Sequence, residues 1–142
     1  MLVRAFCLVA SILMILGSAA HAQDKKGALD PENTLIMQLE TGNVVIELRP
    51  DLAPNHVARI KRLVREGFYD GLLWFRVIKD YIAQTGDPRG NGTGGTGETI
   101  KAEFSKEPHD LGTVSMARKS DPDSADSQFF ISMRRIEGLD GQ

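Results

Sequence analysis

The spacing of apolar residues changes character several times along this chain, and each change predicts a different kind of element. Ala5 to Leu16 is an almost unbroken apolar run in which only Ser11 is polar. From Asn33 the pattern turns β-rich: Asn33 to Glu40 and Val44 to Leu48 are separated by Thr41-Gly42-Asn43, a connection of hairpin length, which predicts an antiparallel pair. Pro50 to Pro54 breaks that pattern. Val57, Ile60, Leu63 and Val64 then recur at helical spacing, with Arg59, Lys61, Arg62 and Arg65 on the more polar side and Gly67 as a left-handed stop. β-type runs resume at Leu72 to Ile78, Tyr81 to Gln84, Thr113 to Ala117 and Gln128 to Met133. Many short strands and one good helix predict a mainly β domain, closed or nearly closed as an antiparallel barrel with a flanking helix.

The first apolar run has the length of a signal-peptide core and is preceded by the single charge of Arg4. Ala20-His21-Ala22 fits a small-x-small cleavage site, so residues 1–22 are expected to be an export signal removed after Ala22. A membrane anchor would need about 20 apolar residues, more than the run supplies. Residues 23–32, polar and interrupted by Gly27 and Pro31, are expected to form a flexible leader, with one domain over 33–142.

Composition narrows the chemistry. The 142 residues hold 17 Lys and Arg against 19 Asp and Glu, with no long run of one sign, so neither nucleic acid nor a membrane surface is an expected partner. The basic helix face reads as an ordinary solvated face. The one cysteine, Cys7, lies inside the expected signal, which leaves the mature chain no disulfide, thiol nucleophile or thiolate metal site. His56 and His109 have no neighbouring ligand spacing and read as surface histidines, so no metal is expected. No serine sits in a nucleophile-elbow context. Gly90-Asn-Gly-Thr-Gly-Gly-Thr-Gly97 contains the string GxGxxG, but no helical stripe follows it, so it reads as a surface loop that needs left-handed angles and little side-chain bulk.

What remains is one cation among apolar and amide groups. These are Phe75-Arg76-Val-Ile78, Tyr81-Ile82-Ala-Gln84, Met116-Ala117 and Ser127-Gln128-Phe129-Phe130. The segment Trp74 to Asp87 closely resembles the cyclophilin signature, and Gly112 to Ala117 and Ser127 to Ile131 resemble that family's later blocks, in the same order. The resemblance implies a bacterial, exported peptidyl-prolyl cis-trans isomerase of the periplasm, acting without cofactor as a monomer on proline-containing unfolded or flexible polypeptides. It implies that Arg76 is the catalytic arginine, that Ile82, Phe130 and Leu139 line a pocket for the proline ring with Tyr81 at its edge, and that Gln84, Ala117, the backbone of Arg118 and Gln128 border the flanking peptide. Phe75 stands where the family has a histidine beside the substrate, Thr85 where it has a glycine, and Gly138 where many members have a tryptophan. The family pattern continues beyond Leu139-Asp-Gly-Gln142. The resemblance therefore leads us to expect a barrel without its last strands and closing helix: a fragment of a longer coding sequence, or a marginally stable, weakly active protein. The alternative function is a proline-segment binding module or chaperone with weak or no turnover.

Overall fold

The computed structural model describes residues 29–142, so the expected signal and most of the expected leader lie outside the described residues. At the end of the leader segment, Pro31–Asn33 forms one 3-10 turn capped by the Asp30 carboxylate, which accepts from the Glu32 N–H. Strand β1 (Thr34–Leu39) pairs antiparallel with β2 (Gly42–Glu47) from Thr34 opposite Glu47 to Leu39 opposite Gly42. The turn is thus Glu40-Thr41, not the predicted Thr41 to Asn43, and Gly42, with φ +132°, opens β2. Period-two alternation puts Leu35 and Ile46 on the covered face and leaves Ile36 and Val45 paired and exposed on the other.

Helix α1 (Pro54–Arg65) has Pro54 in its first turn, where a proline is tolerated, and ends two residues before the predicted stop Gly67. Gly67, at φ +70°, donates to the Val64 carbonyl and Phe68 donates to that of Leu63, the paired bonds of a left-handed helix stop. Ala53 supplies no cap at the other end. Glu103 replaces it from a distance, accepting from the N–H groups of Asn55 at 3.0 Å and His56 at 3.0 Å. Burial pushes the Glu103 carboxyl up, but these donors outweigh it and hold the group below the usual carboxylate range. Val57, Ile60 and Leu63 are buried as the spacing predicts, whereas Val64, at the edge of that face, is 41% exposed.

The second sheet contains β3 (Arg76–Ile78), β4 (Ile82–Thr85), β5 (Val114–Met116) and β6 (Phe129–Ser132), antiparallel throughout, in the order β3-β4-β6-β5. Leu72 to Phe75, predicted as strand, is instead drawn off by turn bonds such as Leu72 N–H to the Tyr69 carbonyl, while the Thr85 hydroxyl donates to the Leu73 carbonyl. Asp80 takes φ +55° in the loop joining β3 to β4. Beneath the sheet Phe129 meets Tyr69 and Trp74 edge-on, the latter at 6.2 Å and 89°, and the Tyr69 hydroxyl donates to the Ser127 carbonyl. The architecture is mainly β with one helix, as the sequence predicts.

Candidate functional site

The pairing of the four-stranded sheet decides which side chains meet. Arg76 lies opposite Gln84, Gln84 opposite Phe130, and Phe130 opposite Ser115, and directly opposed residues share a face. Val77, Ala83, Ile131 and Phe129 therefore belong to the other face. Arg76, alone on an edge strand and exposed, donates from Nη1 to Gln84 Oε1 at 3.1 Å and, among the described residues, makes no ion pair. Its charge is held in place by a neutral amide and stays uncompensated.

Gln84, buried, donates in turn from Nε2 to Gln128 Oε1 at 2.9 Å. Gln128 Nε2 donates to the carbonyls of Gly92 at 3.1 Å and Gly94 at 2.8 Å, so the amide pair links the arginine to the glycine-rich loop. That loop is wrapped around Asp87, which is 1% exposed and accepts the N–H groups of Arg89 at 2.7 Å, Asn91 at 3.1 Å and Gly92 at 2.6 Å. Burial would raise the Asp87 carboxyl, but the backbone donors win and it lies below its ordinary range. The further end of the loop is tied by Asp126, which accepts from Thr96 Oγ1 and the Gly97 N–H. Two glycines are dictated by close approach: a Cβ on Gly86 would lie 2.3 Å from the Ser127 carbonyl oxygen, and one on Gly94 would lie 2.0 Å from Asp87 Oδ1.

The apolar side of the site is set by Ile82, 4% exposed, and by Phe130, whose ring stacks on His109 at 6.2 Å and 13°. His109 is corrected from its reading as a surface residue: its side chain is only 12% exposed, and its backbone N–H and Nδ1 both meet Asp140 Oδ1. Arg135 pairs with the same carboxylate and, with the His109 N–H, holds it well below the carboxylate range. Asp140 follows directly on the 3-10 turn Glu137–Leu139, which carries Leu139. His56 is likewise mostly covered, its Nε2 lying 3.0 Å from the Lys101 carbonyl.

Arg76, Tyr81, Ile82, Gln84, Ala117, Arg118, Phe130 and Leu139 all line one open cavity of about 1370 Å³ between the sheet, α1 and the β1–β2 hairpin. The Tyr81 ring is covered by the Arg134 guanidinium at 5.3 Å, and the Ala117 N–H is bonded to the Gln128 carbonyl at 2.8 Å. The Arg118 side chain turns away to the Lys119 carbonyl and the Phe104 ring. Phe75 and Gln128 are the exceptions. Gln128 is turned to the glycine-rich loop through the Gly92 and Gly94 carbonyls, and the Phe75 ring stands 3.3 Å from where a Cβ on Gly92 would be, so neither lines the cavity.

Sequence reading missed Asp87, Asp126, Asp140 and the burial of His109. Only Asp87 carried a local signal, an acidic residue between Gly86 and Pro88 ahead of a run of glycines. Among the described residues no group of three or more His, Cys, Asp or Glu is placed to hold a metal ion. A fixed, uncompensated donor beside an apolar wall is suited to stabilising a lone pair that appears only in a transition state.

The model of the family described as cyclophilin type peptidyl-prolyl cis-trans isomerase/CLD matches residues 34–142. The chain is similar to a "Probable peptidyl-prolyl cis-trans isomerase" of Brucella suis, 54% identical over 127 residues, covering 81% of this chain and 65% of that protein. "Peptidyl-prolyl cis-trans isomerase B" of Bacillus subtilis is 49% identical over 96 residues, 66% of each chain. The chain thus spans about 65% of the length of the Brucella relatives. Among solved structures, a cyclophilin from Hirschia baltica superposes with a TM-score of 0.72 at 30% identity, covering 80% of this chain and 62% of that one. A Cryptosporidium parvum cyclophilin type peptidyl-prolyl cis-trans isomerase, crystallised in the presence of the dipeptide Ala-Pro, gives 0.72 at 30% identity over 76% and 72%.

Proposed function

Because the chain belongs to the cyclophilin-type peptidyl-prolyl cis-trans isomerase family, we propose that it accelerates rotation about X-Pro peptide bonds in unfolded or flexible polypeptides. The observation that carries this reading is Arg76, a cation held by the Gln84 amide and paired with no carboxylate among the described residues, on the same face as Phe130. Amide resonance sets a barrier of roughly 18–20 kcal/mol to rotation, and uncatalysed exchange takes tens to hundreds of seconds. As the bond twists, the prolyl nitrogen leaves conjugation and regains a localised lone pair. A guanidinium N–H aimed at that nitrogen stabilises the twisted state more than either planar one. Ile82, Phe130 and Leu139 take the pyrrolidine ring, with Tyr81 at its edge. Gln84, Gln128, Ala117 and the backbone of Arg118 border the flanking peptide. No nucleophile or cofactor enters this reaction, since no bond breaks.

The residues before the domain support a location outside the cytoplasm: Met1 to Ala22 acts as a cleaved export signal, so the clients are exported proteins folding in the periplasm. The protein acts there as a monomer, without nucleic acid or membrane as partner. N-terminal sequencing of the cell-derived protein is expected to start at Gln23, and a start at Met1 would remove the export reading. A protease-coupled assay on an X-Pro peptide tests the activity itself. Arg76→Ala is expected to lose about 10²–10³-fold in kcat/KM. Equal rates for the two proteins would sink the role of Arg76, and binding of the peptide with no rate enhancement by either would leave a binding module.

A further inference from the structure

The glycine-rich loop has no part in the reaction as proposed above, yet it is tied at both ends, by a buried carboxylate at one and by Asp126 at the other. Its bonds have a direction. The carbonyls of Gly92 and Gly94 are acceptors, so the Gln128 group between them has to be the NH₂, which supplies two donors from one nitrogen. That choice turns Gln128 Oε1 toward Gln84, so Gln84 has to present its own NH₂ there, and its oxygen is left facing Arg76. Reversing Gln84 would set its N–H groups against the guanidinium, which offers only donors, and reversing Gln128 would set its N–H groups against those of Gln84 and its oxygen against the two loop carbonyls. The same loop that presents these two carbonyls to Gln128 has the N–H groups of residues 89, 91 and 92 gathered around the Asp87 carboxylate.

We propose that Asp87 is a positioning residue: through the loop carbonyls of Gly92 and Gly94 it sets the polarity of the Gln128–Gln84 amide relay and thereby fixes the guanidinium of Arg76. This deepens the isomerase reading and rests on it. Asp87 touches neither substrate nor Arg76. Its effect passes through one buried and one half-buried amide, and a misplacement of a reacting group by about 1 Å is enough to cost on the order of 10²-fold in rate.

The test is a double-mutant cycle on the full chain, with kcat and KM measured separately for an X-Pro peptide. Asp87→Asn keeps the size of the side chain but sets amide N–H groups against backbone donors. Gln128→Leu cuts the relay while leaving the Asp87 cradle intact, and it covers the case in which Asp87→Asn fails to fold. Asp87→Asn is expected to lower kcat roughly ten- to hundredfold with a smaller change in KM, whereas Gln128→Leu, which also loses its border with the flanking peptide, is expected to lower kcat as far and to raise KM as well; neither adds to the kcat loss in an Arg76→Ala background. A loss that is the same with and without Arg76 would mean general structural damage and would overturn the relay, as would full activity of both variants. If Arg76→Ala itself matched the unsubstituted protein, the isomerase mechanism would fail first, independently of the relay.

Discussion

Two sets of cations in this chain have different kinds of partner. On α1, Arg59, Lys61, Arg62 and Arg65 all reach carboxylates: Arg59 meets Asp126 and Glu98, Arg62 meets Glu98 and Glu66, and Lys61 and Arg65 share Glu32. On β3, Arg76 meets one neutral amide. The helix face was expected to be solvated, but it is the seam by which α1 is stitched to the glycine-rich loop on one side and to the start of β1 on the other. A cation whose charge is answered by its own chain supports the fold. One that is only aimed remains available to something that arrives later.

The strongest test of this contrast is to change the two kinds of arginine separately. Arg76→Ala removes the aimed donor, and its loss of activity should come with no change in melting temperature. Arg76→Lys sharpens the point by keeping the charge without the planar fork; kcat/KM is expected to fall by about tenfold or more at unchanged stability. Arg59→Ala should do the reverse. Its side chain is only 13% exposed and bonds the Glu98 carbonyl at 2.7 Å, so unfolding should become easier by about 1–2 kcal/mol, with a smaller effect on turnover than either Arg76 change. Loss of activity without loss of stability in Arg59→Ala would break the contrast.

Acid provides a further test. Asp87 and Glu103 both titrate below their ordinary values, so they bind protons more readily when unfolded. The stability they contribute is complete above the unfolded carboxylate values of about 4 and is lost as pH falls through the lower folded ones. Thermal unfolding should be flat from neutral pH down to about 5 and decline below about 4, and Asp87→Asn should show a shallower decline from a lower starting point. The smallest effect is expected for Arg65→Ala. That pair with Glu32 is exposed on both sides, and its melting curve should overlay that of the unsubstituted protein.

What was legible in the sequence is what short spacing decides. Val57, Ile60 and Leu63 declared the buried face of α1, and Gly67 declared its end, because a left-handed stop depends on a handful of consecutive residues. Arg76 was singled out by the family motif alone, since alternation by itself reads it as an ordinary outward-facing residue; that it lies opposite Gln84, and Gln84 opposite Phe130, is decided by the register of the sheet. Errors arose where distant partners compete with local pattern. Leu72 to Phe75 is as β-prone as β3, but Thr85 and the turn at Tyr69 claim its backbone. His109 looks like a loop histidine until Asp140, 31 residues later, comes back to meet it. Phe75 packs on the glycine-rich loop at Gly92, a contact that its place just before Arg76 does not announce.

Trp74, the only tryptophan of the chain, stands edge-on to Phe129, and Phe129 shares its strand with Phe130. Trp74 thus lies against the residue next to Phe130, the proposed proline contact, and all three rings line the same cavity. Occupation of that cavity can therefore be followed as a change in tryptophan emission, with no label added and no turnover needed. The chain brings its own optical reporter to the place where its ligand is expected.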